Sequence, residues 1–540
     1  MARFGIDFGT TNTIVVQHDR GLFSEVQHSA ETAAGTIVQT LFPSAILIDK
    51  RTGQRHYGLE ADRLFSRYGP APHLAFIPSL KRWLRDYSEG PAAVRVPDPS
   101  RAETGYDMAD LLSGFLQAVA ESIRRSPSLN AREDIAPATA REEQFEAVIT
   151  WPANANGAQR HLTRTCFRKA GFHIIDSLNE PTASAIELSN CLTARQVRRA
   201  CRQPSAIVVF DLGGGTFDAA VVWVEGDDFN VLASGGIEHL GGDDLDELLL
   251  GMFLEALKVP IGEISGLMRH ALLRQVRAQK ETISTGIVKR LFLNPMDFGL
   301  RSRSVSVTVE AFYERVRPLL QPAIDLLQRV IARAAEKEPR VGGQGEPPLL
   351  YLVGGSSKLP LVPEMVANAF PGHRVVLSDK PFISVAMGAA ICAADRVNVR
   401  EVFGRHFGLI RLRNHGAQEC FDPIFPAGTP LPRRGEAPLE RVAWYTPRHN
   451  IGHLRYLECT DISPDGVPSG DVRSWSDIRF PYDPALPLCG PALESEIRPT
   501  DEFVNTSVCE VYRCDSDGVI TVEIRRPYRN DARTYEIFRD

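Results

Sequence analysis

Acids and glycines at the ends of apolar runs carry most of the chemistry in this sequence. The stretch from Ala206 to Asp218, AIVVFDLGGGTFD, takes an apolar, largely β-branched run into Asp211, three glycines, Thr216 and a second acid, Asp218. Such a run is a buried strand, and the glycines after it form a tight turn whose backbone can take φ > 0. A turn without β-carbons lets successive N–H groups close on an anion, and the acid at the strand's end suits a cation. An ordinary hairpin turn reads the same way when taken alone. The arrangement recurs, however, near the N-terminus. From Arg3 to Gln17 the chain reads RFGIDFGTTNTIVVQ, where Asp7 ends a strand, Gly9 permits the turn and Thr10, Thr11 and Asn12 stand beside it. An internal repeat of acid, glycine turn and hydroxyl predicts two similar halves facing each other across one site.

Two further glycine pairs fit the same site. Gly241 and Gly242 precede the acidic helix start DDLDELLL, in which Asp243, Asp244 and Asp246 serve a phosphate site or act as helix caps. Gly354 and Gly355, in LLYLVGGSSKLPLV, link a strand to a helix and are followed by Ser356 and Lys358; strand-glycine-helix units of this kind receive sugars and phosphates. Together the turns predict a phosphate clamp. Asp7 and Asp211 would hold a magnesium ion mainly through its waters, and Thr10, Thr11 and Thr216 would donate to phosphate oxygens. Lys81, in SLKRWLRD, would neutralise charge on the transferred phosphoryl group, and Glu180 or Asp218 would orient the attacking water. A solvated Lys81 and a helix-capping Glu180 are the plainer readings of those two residues. The chain has no GxxxxGK[ST], and its nearest approach to GxGxxG, at Gly213, has Asp218 where the last glycine belongs.

The elements that must position these residues are strands and helices in alternation. The sequence predicts a helix over 109–125, a strand ending at Pro152 with a helix after it that carries Arg160, and a helix opening at Glu180 with Pro181 in its first turn. Ser265 to Ser284 reads as a helix with Lys280 and Ser284 one turn apart, and Phe312 to Ala335 as another. Residues 89–100, 126–144 and 338–348 read as connections. From Gly404 onward prolines and short alternating strands such as SVCEVYRC and GVITVEIRR, joined by a DSDG turn, predict an all-β domain.

A chain of 540 residues exceeds one core and predicts several domains. A net charge of −6 argues against nucleic acid or an anionic membrane as the main partner. No leader pattern or membrane-length apolar run is visible, so the expected location is the cytoplasm. Nine cysteines without a CxxC pair read as reduced thiols.

GIDFGTTNT, SLKRWL, VITWPANANGAQR, LNEPTASAIEL, VVFDLGGGTFD, LGGDDLDELLL and LVGGSSKLP, in this order, resemble the nucleotide-binding domain of the heat shock protein 70 family over about residues 3 to 395. The resemblance implies an α/β, actin-like ATPase fold, with duplicated halves of about 1–200 and 201–395 around a cleft, a linker at 396–403 and a β-rich partner-binding domain at 404–540. It places the family's phosphate and metal roles on Asp7, Thr10, Thr11, Lys81, Glu180, Asp211, Gly213, Gly214, Thr216 and Asp218, with Gly9, Asn12, Gly215, Gly241 and Gly242 beside them. It places nucleoside contacts on Lys280, Ser284, Gly354, Gly355, Ser356 and Lys358, and the relay of nucleotide state on Pro152 and Arg160. Implied with these are ATP or ADP, magnesium, magnesium-dependent ATP hydrolysis and a polypeptide client, together with nucleotide-exchange and J-domain co-factors.

The chain departs from the family's pattern in the base pocket. Glu281 stands where a basic residue stacks on adenine, Lys358 where an arginine often follows the GGS turn, and Phe382 where an acid lies near the ribose. The leucine-rich acidic linker is replaced by Val397, Val399 and Val402, and no helical lid follows the β domain. These departures predict something other than a general folding chaperone under ordinary J-domain control. An alternative is therefore a nucleotide-gated scaffold with little turnover that holds one dedicated partner; a small-molecule kinase is a third reading.

Overall fold

The structure, a computed structural model, describes all residues except 1, 33–34, 87–94, 99–100, 127–143, 192–203, 295–303, 343–346, 414–417, 501, 503–505, 527 and 538–540. The expected connection at 126–144 thus lies almost wholly outside the described residues. The chain divides into two compact units, one built from segments between Met1 and Asn398, the other chiefly Val399–Asp540 together with Ala155–Leu162.

In the first unit two sheets share one plan. The first runs in the order Phe172–Asn179, Phe145–Trp151, Arg3–Phe8, Asn12–Asp19, Leu22–Glu25. The first three strands are parallel and the last two continue as an antiparallel meander. The second sheet has the order Arg374–Leu377, Leu349–Val353, Ser205–Leu212, Thr216–Glu225, Asp228–Glu238, with the same directions. Parallel strands covered on both faces need continuous apolar runs, and Val208, Val209 and Phe210 are accordingly buried. Asp7 and Asp211 are each the last residue but one of the corresponding strand, Arg3–Phe8 and Ser205–Leu212.

Helices close these sheets. Ser384–Ala393 is apolar all round and nearly all buried, as a helix enclosed on every side must be. Its Gly388 lies so close to the Ala183 carbonyl that a β-carbon would overlap it, and Gly5 meets the Ala390 backbone in the same way. The long helix Val309–Lys337 starts at Thr308, whose side chain accepts from the Ala311 N–H. It buries Phe312, Val316, Leu320, Ile324, Leu327 and Val330 along one stripe. The expected helix at 109–125 is Met108–Arg124. The expected connection at 89–100 differs: Arg95–Asp98 is a strand paired antiparallel with Arg101–Asp107. Its Pro97 hid the strand from a composition reading, since proline leaves sheets only edges and irregular sites.

The second unit holds two four-stranded antiparallel sheets. One is ordered Gln418–Phe425, His406–Arg413, Ile451–Ile462, Pro468–Pro481, and the other Leu439–Tyr445, Val508–Cys514, Ile520–Arg526, Asp531–Glu536. Their core includes Phe407, Phe425, Tyr456, Phe480 and Tyr512. Inside it the fully buried Glu510 accepts from Arg411 NH2, Tyr445 OH and Tyr512 OH, each at 2.7 Å. The described residues from Val399 onward contain no α-helix. No helix among the described residues is long and apolar enough to cross a membrane, and Cys166, Cys392, Cys420, Cys459, Cys489, Cys509 and Cys514 are free.

Candidate functional site

The glycine turns interlock. A β-carbon on Gly214 would overlap the Thr11 hydroxyl, and one on Gly215 would lie 2.7 Å from the Thr10 methyl, so the two repeated hairpins meet turn against turn. The third turn docks on the second: Gly242 N–H donates to the Gly213 carbonyl at 3.0 Å and Asp243 N–H to that of Gly214 at 2.7 Å. A β-carbon on Gly241 would sit 2.6 Å from backbone atoms of both Gly214 and Gly215. The fourth joins through Ser356, whose hydroxyl donates to the Gly213 carbonyl at 2.8 Å. Gly354 takes φ +81, where a side chain is strained, and abuts the Leu212 carbonyl and the Asp211 carboxylate. Close approach is thus the reason for glycine at four positions, to the threonine side chains at Gly214 and Gly215 and to backbone at Gly241 and Gly354.

These turns surround a cavity of about 520 Å³. At one end lie Asp7, Gly9, Thr10, Thr11, Asn12 and Thr216, with Asp211, Gly213 and Gly214 beside them. Lys81 and Glu180 enter the same end and form an ion pair, both buried. Lys81 reaches it from a seven-residue 3-10 segment, Leu80–Asp86, and Glu180 opens the helix Glu180–Cys191. Asp218 is not on the cavity wall. It lies behind it, 1% exposed, with one carboxylate oxygen accepting from the Ala153 N–H at 2.8 Å.

Charge at this end is unbalanced. Burial, reinforced by the Glu180 charge, pushes Asp7 up to about 7 against the pull of Lys81. The same causes push Asp218 up to about 7. Burial and the charges of Glu180, Asp218 and Asp7 hold Asp211 well above the usual carboxylate range. Burial opposes the Lys81 charge, but Glu180 and Asp7 outweigh it and its pKa is raised. Asp211 and Asp218 also face each other directly in the antiparallel pair, a like-charge arrangement that costs energy. The cluster therefore calls for more positive charge than Lys81 supplies. Among the described residues no three His, Cys, Asp or Glu side chains converge as direct metal ligands.

The other end of the cavity is bounded by Lys280, Glu281, Ser284, Gly355, Lys358 and Phe382. Lys280 is engaged with Asp246 at 2.7 Å and with the Gly242 carbonyl at 2.6 Å. Ser284 donates to the Glu281 carbonyl at 2.7 Å. Of the three acids at the helix start, Asp244 is the cap, accepting from Gly241 N–H at 2.9 Å. Asp243 and Asp246 instead bind Arg277.

Sequence reasoning missed several neighbours. Ser79, at φ 54, donates to Asp243 at 2.9 Å, and Arg82 pairs with Asp244 at 2.6 Å. Arg277 also lines the cavity. Each is a contact between distant stretches, which no local spacing announces; the only signal for Ser79 and Arg82 is that they flank Lys81. Of the two relay candidates, Pro152 is half-buried after its strand. Arg160 clusters in the second unit. Burial lowers its pKa, with the Glu458 and Glu401 carboxylates working the other way. In that unit Gly157 N–H donates to Glu458 at 3.1 Å.

A mixed α/β unit whose two like sheets bring four glycine turns to one carboxylate cluster is followed by a β-rich region, and this architecture fits the family that the sequence matches. Residues 128–402, just over half the chain, match the family described as Hsp70 protein, and the chain belongs to that family. It is similar to the chaperone protein HscA of Escherichia coli O17:K52:H18 (strain UMN026 / ExPEC), 31% identical over 402 residues, 72% of this chain and 57% of the relative. The chaperone protein HscA of Escherichia fergusonii and that of Shigella boydii serotype 18 match with the same identity and the same coverage. The chain spans a little over half the length of these relatives.

Proposed function

We propose that the protein is an ATP-hydrolysing chaperone whose nucleotide state governs the grip of its β-rich unit on a polypeptide. The single observation that carries this reading is the meeting of the repeated glycine turns over Asp7, Asp211 and the buried Lys81–Glu180 pair. On this reading the first unit has the actin-like ATPase fold. The glycine turns let phosphate oxygens come close to the backbone, and the hydroxyls of Thr10, Thr11 and Thr216 donate to them. The Lys81 ammonium stabilises charge growing on the transferred phosphoryl group, held in place by Glu180. Glu180, which lines the cavity, orients the attacking water, and Asp218, the other candidate for that role, acts from behind the wall. Asp7 and Asp211 would hold a hydrated magnesium ion, which would supply charge neutralisation to the phosphates.

Lys280, Ser284, Gly354, Gly355, Ser356 and Lys358 would take the nucleoside. Pro152 and Arg160 would relay nucleotide state to the region after a linker at 396–403, the β domain at 404–540 holding the client. The relatives' name, chaperone protein, supports a polypeptide client, and co-chaperones are the further expected partners. The expected compartment is the cytoplasm. The direct test is the anisotropy of a labelled unstructured peptide bound in the presence of ADP. ATP is expected to release it at least several-fold faster, and release that ignores the nucleotide would contradict the coupling.

A further inference from the structure

The nucleoside end of the cavity has an unusual division of labour. Three of the groups there that could read the edge of a base by hydrogen bonding are already engaged, and a fourth, the Glu281 carboxylate, only accepts and suits the amino group of either purine. The Lys280 ammonium is held by Asp246 and the Gly242 carbonyl, the Ser284 hydroxyl donates to Glu281, and the Ser356 hydroxyl donates to Gly213. Besides that acceptor the pocket offers a face. Phe382 lines the cavity and is 42% exposed, a large fraction for a phenylalanine in a concave site. Its ring is fixed rather than loose. One edge rests so closely on Gly355 that a β-carbon there would overlap it, and the Lys358 ammonium lies 5.5 Å from its centroid. Gly354, the neighbour of Gly355, abuts Asp211, so the ring lies along the same turn as that acid.

We propose that Phe382 is the stacking platform for the base of the bound nucleotide, and that the pocket holds bases by their faces with little discrimination between adenine and guanine. Every base has a π face, so stacking on an aromatic side chain is tolerant of base identity, whereas selectivity needs polar groups aimed at the base edge. Lys358 completes the platform by fixing the ring and keeping a cation near the ribose and phosphates. The proposal rests on the nucleotide-binding reading above.

Calorimetric titration of the full chain with magnesium and ADP, GDP or inorganic tripolyphosphate tests it, with Phe382→Ala and Phe382→Tyr beside the wild type. The wild type is expected to bind ADP and GDP within about threefold of each other. Phe382→Ala should weaken both about tenfold, the range of aromatic base stacking, and leave tripolyphosphate affinity unchanged; Phe382→Tyr should restore the wild-type values. Equal ADP affinity in wild type and Phe382→Ala, or a preference for ADP over GDP of a hundredfold, would overturn the proposal while leaving nucleotide binding in place. Failure of the wild type to bind any of the three would overturn the nucleotide reading and the platform with it.

Discussion

Lys81 faces more negative charge than it can offset, and this imbalance governs how the site responds to pH. Asp7 and Asp218 are pushed up to about 7, mainly by burial. An unfolded aspartate titrates near 4, so between about pH 4 and 7 the folded chain binds more protons than the unfolded one. The stability so gained is complete below the unfolded pKa and is lost as pH rises through 7. In the absence of divalent cations the thermal midpoint of the first unit is therefore expected to fall as pH rises from about 5 to 7 and to level off above, and magnesium with ADP should remove the fall. Asp7→Asn should flatten the cation-free slope. A midpoint that rises over this interval would contradict the charge account. The acids and glycines of the site were legible in the sequence because each ends an apolar strand. The shifts were not, because Asp218 owes its own to burial and to the Glu180 charge, which only the folded chain brings near it.

At the scale of elements, the site is an assembly of turns with no space for side chains between them. Gly241→Ala would push a methyl to within 2.6 Å of the Gly214 and Gly215 backbone, which cannot swing aside as a side chain could. Overpacking of this kind costs about 1–3 kcal/mol. Magnesium-dependent tripolyphosphate affinity is expected to fall several-fold or more, with the far-ultraviolet circular dichroism spectrum unchanged. Unaltered affinity would mean that the third turn does not support the other two. The sequence revealed these turns one at a time. It could not reveal their interlocking, nor the pairing of Ser79 and Arg82 with Asp243 and Asp244, since these join stretches far apart in the chain. The strand Arg95–Asp98 was hidden by its proline, a local cue that its pairing with Arg101–Asp107 overrides.

The whole molecule is two compact units, each with its own core. Alternating strands and the DSDG turn made the β-rich character of the second unit legible. Its charged interior was not, because a lone Glu510 in a strand reads as a solvent-facing residue. Removing it by Glu510→Ala would leave Arg411 with Asp422 alone and the hydroxyls of Tyr445 and Tyr512 with those of Tyr482 and Tyr456, and losing buried hydrogen bonds to a charged acceptor in this way costs about 1.5–3 kcal/mol. Scanning calorimetry should show the transition of the second unit moved down, while ADP with magnesium still raises that of the first. Loss of the ADP response in this variant would contradict the independence of the two cores.

The most direct test of the central claim, that the turns and the Lys81–Glu180 pair form an ATP-hydrolysing site, is magnesium-dependent ATP turnover in wild type and Lys81→Ala, with ADP affinity measured alongside. The wild type is expected to turn over. The variant should lose about 100-fold or more, the range for removing one preorganised stabiliser of transition-state charge, and should still bind ADP. Equal rates in the two proteins, or no turnover in either, would contradict it.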